Sequence, residues 1–344
     1  MTPTPEQILL QLGSGLWASQ VLSVATRLDV LECLANGVNR ASVVAQELQL
    51  HALSVERLLR GCAALGVVEE SEVGHFELTP MGELLTRQHP RSLRDAISMM
   101  TDAGHWQSWH QLEHAVRSGE AAFKQALGVD NVFDYFASQP EEANRFNRAM
   151  ASFTRAFVEQ MKLAYDLSGF KLIADIGGGH GQLLGALLQV APQARGLLFD
   201  QAKVLEGADC ELSALGVQSR VEKVAGSFFE SVPRGPDLYL LKHILHDWDD
   251  QQCLEILGRL RQAMGPESKL LIVEMLMAEP PEKSEAALMD LNMLVMTGGR
   301  ERTASQYRQL LEASGLRMLR VIRTDGAYQL IEAQVTTKVM CSGA

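Results

Sequence analysis

Apolar residues recur at helical spacing near the start of the chain: Ile8, Leu9, Leu12 and Leu16, then Val21, Leu22, Ala25 and Leu28. That spacing predicts two helices within residues 5–35. Two shorter amphipathic segments follow, ASVVAQELQL (41–50) and LSVERLLRGCAALGVV (53–68), the second ending near Gly66. The next segment, VVEESEVGHFELTPMGELL, reads as two short strands around Gly74 and a further helix. Helix, helix and small hairpin make a winged-helix outline. Residues 95–165 return to helical spacing and are rich in aromatics, from Trp106 to Tyr165. Such a stretch serves as packed core, or as the wall of a pocket for a flat ligand, because aromatic rings offer rigid apolar area.

From residue 171 the period changes. Short apolar runs alternate with amphipathic helices: KLIADIG, RGLLFD, RVEKVAG, DLYLLKHI and KLLIVEML, then LRMLRVIRT and YQLIEAQV. Strand alternating with helix implies an α/β domain with a largely parallel sheet covered on both faces. Asp325-Gly326 joins the final two runs and is a hairpin signal, so the last strand is expected to run antiparallel. The prediction is therefore a seven-stranded Rossmann-like sheet with one reversed edge.

Composition and charge narrow the possible tasks. The 344 residues fit two domains, and 47% hydrophobic with 21% charged residues excludes a disordered chain or a collagen-like fibre. A formal charge of −11 disfavours binding to a phosphate backbone. Residues 1–95 hold 7 Arg and 11 acids, a local charge of 7 − 11 = −4, and the second helix of the winged outline offers only Arg57 and Arg60. The outline is expected to be a dimerisation scaffold, with no nucleic-acid partner. Cys33, Cys62, Cys210, Cys253 and Cys341 are scattered and form no CxxC pair, which suits a reduced, cytoplasmic protein. The first residues lack a basic region followed by an apolar run, and no stretch approaches 18 apolar residues, so neither secretion nor a membrane partner is expected.

The first candidate chemistry is the glycine-rich turn DIGGGHG, Asp175 to Gly181, between a strand and a helix. Glycines stand at 177, 179 and 181, but a dinucleotide fingerprint needs one at 182, where the chain has Gln182. No GK[ST] follows, which excludes a P-loop. The turn suits an adenosine ligand with a cationic amino-acid tail and no pyrophosphate, Asp175 ordering the ammonium region. Asp200 ends the second strand of this region, where an acid accepts from ribose hydroxyls. Its other reading is a helix N-cap. Ligands bind beyond the carboxyl ends of strands where the sheet order switches. Asp175, Gly177, Asp200, His243, His246 and Glu274 should then face one crevice.

The second candidate is a base. His246 lies beyond the strand DLYLLKHI, and by itself His-Asp-Trp reads equally as a helix start over a buried Trp248, with Asp247 or Asp249 as cap. Glu274 closes the apolar run LLIVEML, and Glu301 follows a Gly-Gly turn in GGRERT. A general base needs a partner on its other nitrogen, and carboxylates serve. His246 is preferred to His243, which still belongs to the strand or its exit, and to His180, a tolerated turn residue.

Taken in order, DIGGGHG, Asp200, AGSFFESVP, DLYLLKHILHDWDD, the glutamate of IVEM and GGRERT resemble the motifs of class I S-adenosylmethionine-dependent O-methyltransferases. The closest group is the small-molecule family typified by caffeic acid and acetylserotonin O-methyltransferases, with its bacterial secondary-metabolite members. The resemblance covers nearly the whole chain. It implies a winged-helix dimerisation domain (1–95), a helical linker contributing to the substrate pocket (96–165) and a methyltransferase domain (166–344). It implies S-adenosylmethionine held by Asp175, Gly177, Gly179, Asp200, Gly226, Ser227, Phe228 and Lys242, no metal, and His246 as base flanked by Glu274 and Glu301. Trp106, Phe146, Met150, Phe153 and Met293 fall on its pocket-lining positions. The implied reaction is methylation of a hydroxyl on a small aromatic acceptor by a homodimer. Methylation of nitrogen or carbon, non-methylation chemistry and a small-molecule-sensing regulator are the alternatives. Two positions depart from the pattern. Ser227 stands where plant members carry Asp, and Phe153 where some phenylpropanoid enzymes have a polar residue.

Overall fold

The computed structural model describes residues 3–129, 132–280 and 283–336; Cys341 lies outside them. The chain forms two compact units, residues 1–106 with 139–153, and residues 107–138 with 154–344. The aromatic segment 96–165 is thus shared. Its 25-residue helix Pro140–Ala164 begins in the first unit and ends in the second.

In the first unit, Thr4 caps the helix Pro5–Gly13 through a capping box, with Pro5 in the first turn. Helices Gly15–Arg27 and Val30–Ala35 follow. Helices Ala41–Glu47 and Ala52–Ala64 then precede the antiparallel hairpin of β1 (Val68–Glu72) and β2 (His75–Leu78). Leu31, Val44, Leu59, Cys62 and Phe76 are fully buried between these elements. The first two helices instead leave apolar side chains in solvent: Leu9, Leu10, Leu12 and Trp17 are each 69–74% exposed. Among the described residues no single helix is long and apolar enough to cross a membrane, although the bent pair Pro5–Gly13 and Gly15–Arg27 passes that test jointly.

In the second unit, each apolar run from residue 171 onward becomes a strand, and an eighth strand of two residues forms within GGRERT. These are β3 (Leu172–Ile176), β4 (Arg195–Asp200), β5 (Val221–Ala225), β6 (Leu238–Lys242), β7 (Lys269–Met277), β8 (Arg302–Thr303), β9 (Leu316–Arg323) and β10 (Tyr328–Val335). The order is β5-β4-β3-β6-β7-β10-β9, with the two-residue β8 added in parallel to β7. β10 runs antiparallel to both neighbours. This corrects one expectation: the reversed strand is not at the edge but lies between β7 and β9. The Asp325-Gly326 turn fixes only how β9 and β10 pair, and β10 is the more buried of the two, with Leu330, Ile331 and Ala333 fully buried. Residues along β3, β6 and β7 alternate between two cores. Ile173, Leu240, Leu271 and Val273 face one, and Ala174, Leu241 and Ile272 the other. The order switches at β3, between β4 and β6, so the crevice opens at the carboxyl ends of these strands.

Candidate active site

All members of the site described here belong to the second unit. Asp175 is the next-to-last residue of β3; its side chain is buried, with Oδ2 lacking a hydrogen-bond partner. Burial raises its pKa to about 7, opposed by nearby Lys242. The chain then turns through Gly177 and Gly179, both in the left-handed region at φ 70° and 59°. A Cβ at Gly179 would meet nothing within 4 Å, so this stretch of backbone faces open space. Asp200, at the end of β4, accepts from Gly179 N (2.8 Å) through Oδ2 and from Gln201 N (2.7 Å) through Oδ1. It braces the glycine turn, a role the strand pattern does not reveal. Gly226 donates its N–H to Asp200 O and lies over the Phe199 ring. Ser227 Oγ accepts from Phe229 N (3.3 Å), which leaves its hydroxyl hydrogen available. Phe228 packs edge-on against Trp248 and close to Gly177. A glycine cradle, a buried carboxylate with an open acceptor and an aromatic wall fit a ligand with an adenine ring and a cationic tail.

Lys242 closes β6. Burial lowers its pKa to about 8, against the pull of Asp175 and Glu274. The chain leaves the strand through His243, a non-glycine residue at φ 54°. That conformation costs about 1–3 kcal/mol and persists only where the surroundings enforce it. Next comes a single 3-10 turn, Leu245–Asp247, carrying His246. Asp249, not Asp247, caps the following helix through a capping box.

Nδ1 of His246 lies 2.8 Å from Glu301 Oε1 and 3.4 Å from Glu274 Oε2. Nε2 has Asp247 Oδ1 as its nearest acid, at 3.8 Å, beyond hydrogen-bond reach. Imidazole and both glutamates are buried. Burial alone would depress the imidazole, but Glu274, Asp247 and Glu301 outweigh it and raise its pKa to about 10. Glu274 is pushed up to about 7 by burial, with His246 opposing. Its Oε1 accepts from the backbone N–H of Ile244 (3.2 Å) and Leu245 (3.0 Å), so it holds the turn as well as the ring.

Glu301 reaches the cluster because β8 pairs with β7, Arg302 opposite Leu276. The backbone of GGRERT lies directly on the histidine turn. Arg300 N donates to His246 O (2.8 Å), and a Cβ on Gly299 would collide with that same carbonyl. Arg302 is fully buried, and its guanidinium donates to Leu245 O (2.9 Å), Trp248 O (2.8 Å) and Asp250 Oδ1. Neither Arg302 nor the closeness of Asp247 is evident from the sequence, since both depend on how two distant segments dock. The sequence placed His243 in the crevice but preferred His246 as base; the His243 ring stacks on that of His246 with centroids 5.1 Å apart. His246, Glu274 and Glu301 also offer donor atoms within 4.8 Å of one another, a spacing that suits a cation.

The remaining predicted residues divide between the units. Trp106, Phe146, Met150 and Phe153 lie in the first unit and are partly buried. Met293 is buried on the helix Glu285–Met296 of the second. Phe157 and Tyr165 belong to the sheet core, and Phe123 to a smaller cluster with Val295 and Met296.

A seven-stranded sheet with its reversed strand inside, a glycine turn backed by Asp200, and a buried His–Glu pair past the fourth of these strands define a methyltransferase of the S-adenosylmethionine-binding class. The chain belongs to the O-methyltransferase family: residues 109–317 match the O-methyltransferase domain and residues 10–88 the O-methyltransferase dimerisation domain. It is 39% identical to the phenazine O-methyltransferase of Lysobacter antibioticus over 95% of each chain. It is 32% identical to the 8-amino-8-demethylriboflavin N,N-dimethyltransferase of Streptomyces davaonensis, covering 97% of this chain and 96% of that one. Human N-acetylserotonin methyltransferase, solved with S-adenosylmethionine, superposes with a TM-score of 0.91 at 28% identity, over 98% and 99% of the two chains. The protein is thus an S-adenosylmethionine-dependent enzyme of this family.

Proposed function

We propose that this enzyme methylates a hydroxyl group of a small, flat aromatic metabolite, with His246 as general base. The observation that carries this reading is the 2.8 Å contact of His246 Nδ1 with Glu301, which fixes the tautomer and leaves Nε2 to accept a proton. S-adenosylmethionine supplies an electrophilic methyl group on a cationic sulfur. Gly177, Gly179, Gly226, Ser227 and Phe228 would hold its nucleoside, Asp200 the ribose, and Asp175 and Lys242 the charged tail. A phenol, with a pKa near ~10 in water, is a poor nucleophile at neutral pH. His246 takes its proton while Glu274 and Glu301 balance the imidazolium that results. Trp106, Phe146, Met150, Phe153 and Met293 are proposed to contact the acceptor, and the N-terminal helices to join two copies as a cytoplasmic homodimer that binds neither nucleic acid nor membrane.

The test is formation of S-adenosylhomocysteine with 1-hydroxyphenazine and 1-naphthol as acceptors. His246→Ala should lower turnover by about 10²–10⁴-fold, the usual contribution of a placed base. Calorimetric affinity for S-adenosylmethionine should stay unchanged in that variant. Undiminished turnover would remove His246 from the mechanism. Dialysis against a chelator should leave the rate intact; a loss restored by a divalent cation would mean that the His–Glu cluster holds metal instead.

The flavin-amine relative favours nitrogen as a second acceptor. A neutral amine attacks through its own lone pair and sheds its proton only after methylation, from an acidic ammonium, so it needs no base beforehand. Methylation of 1-aminophenazine that survives His246→Ala would support that reading.

A further inference from the structure

The hydrogen bond between His246 and Glu301 fixes one nitrogen of the base but not the plane of its ring. An imidazole held at Nδ1 alone can still tilt, which would swing Nε2 away from an acceptor. The contacts of its flat faces therefore matter.

One face meets a column of rings that starts in the core. Phe157 is buried, and Tyr328 meets it edge-on with centroids 5.4 Å apart. His243 lies 4.7 Å from Tyr328, and His246 lies 5.1 Å from His243 at an interplanar angle of 25°. These separations are those of interacting rings. Tyr328 is itself fixed by β10, opposite Met275 of β7. The Lys242 ammonium approaches His243 Nδ1 at 3.1 Å, so that nitrogen accepts and the remaining proton sits on Nε2. Burial, Lys242 and His246 together hold His243 well below the usual histidine range, so it stays neutral beside a protonated neighbour. Its backbone occupies the left-handed region to reach this place. A residue there purely as a connector would be better served by glycine.

We propose that His243 is a positioning residue for the methyl-transfer step: wedged between Tyr328 and the base, it sets the plane of the His246 imidazole. It acts through His246 and touches no reacting atom in this account. The inference rests on His246 being the base.

The experiment uses the full-length enzyme labelled with ¹⁵N-histidine and saturated with S-adenosylhomocysteine. The His246 signals among the nine histidines are assigned by their loss in His246→Ala. His243→Gly removes the ring and relieves the backbone, so its fold should be at least as stable as that of the parent. His243→Phe keeps a flat ring and discards the nitrogen. In His243→Gly we expect turnover of 1-hydroxyphenazine to fall at least tenfold, KM for S-adenosylmethionine to stay within twofold, and the His246 Nδ1 proton signal to broaden or vanish. His243→Phe should recover most of the turnover and the sharp signal. A His243→Gly enzyme with parental turnover and an unaltered His246 signal would overturn the proposal. So would a His243→Phe enzyme that folds, as judged by its melting temperature, but behaves like the glycine variant. If instead His246→Ala retains turnover, the base assignment fails, while the His246 signal in His243→Gly still reports whether the ring is held.

Discussion

At residue scale, the question is how a histidine surrounded by acids could serve as the base proposed for it. Burial weakens the charged form of His246, but Glu274, Asp247 and Glu301 more than compensate and bring its pKa to about 10. The neutral form that accepts a proton is then the minor one at neutral pH. Turnover should therefore rise with pH from 7 upward and level off near the imidazole's pKa. Glu301→Gln removes one negative charge, so the imidazolium is less favoured and the inflection should move to lower pH. The plateau should fall about 10–100-fold, because the imidazolium formed in the reaction loses its hydrogen-bonded counter-charge. A pH profile of the two enzymes checks both signs; an inflection that moved upward would contradict the electrostatics. The sequence made Glu274 legible as a charge closing an apolar run, and His246 through the two glutamates that could orient it. His243 was legible as a crevice residue but its stacking on His246 was not, since nothing in Lys-His-Ile signals a left-handed backbone.

At the scale of elements, the site depends on one short parallel pairing. β8 has only two residues, yet it brings Glu301 to the imidazole and Arg302 beneath the turn that carries it. Arg302→Met removes a charged donor from the Leu245, Trp248 and Arg300 carbonyls and from Asp250. Urea denaturation should show a loss of about 3 kcal/mol, since hydrogen bonds from a charged donor contribute about 1.5–3 kcal/mol and the buried turn loses several at once. Gly299→Ala is the sharper probe. A methyl group there collides with His246 O, so turnover should drop at least 100-fold while S-adenosylhomocysteine still binds in calorimetry, the cofactor turn being formed by other strands. Strand boundaries were readable from apolar runs and glycines because those signals are local. The interior position of β10 was not, because a hairpin turn says which strands pair with each other and nothing about which one meets β7.

At the scale of the molecule, the acidic surface and the apolar N-terminus have different consequences. Leu10, Leu12 and Trp17 put a large apolar area in water within a region that matches the dimerisation domain of the family. Trp17→Glu together with Leu10→Glu should convert a dimer into a monomer in sedimentation velocity without altering the far-ultraviolet spectrum. A pair of substitutions that left the dimer intact would place the interface elsewhere. The two-part organisation was visible in the change from helical to alternating period near residue 171. The division of residues 96–165 between the units was not, since a helix pattern does not reveal which core it joins.

The place of β10 bears on how the protein is made. A ribosome delivers the strands in chain order, but the sheet is not built in that order. When β7 and its carboxylate have emerged, the strand that will cover its flank is still some 50 residues of synthesis away, between Met277 and Tyr328. Through that interval β7 presents an unpaired apolar edge, the form of strand most prone to join another chain. Nascent chains halted before residue 316 should therefore be protease-sensitive and bound by chaperones, and chains released past residue 336 protected. The cluster proposed to do the chemistry is completed by the last strand: Gln329 aligns with Glu274, and Tyr328 closes on His243, only once the insertion is complete.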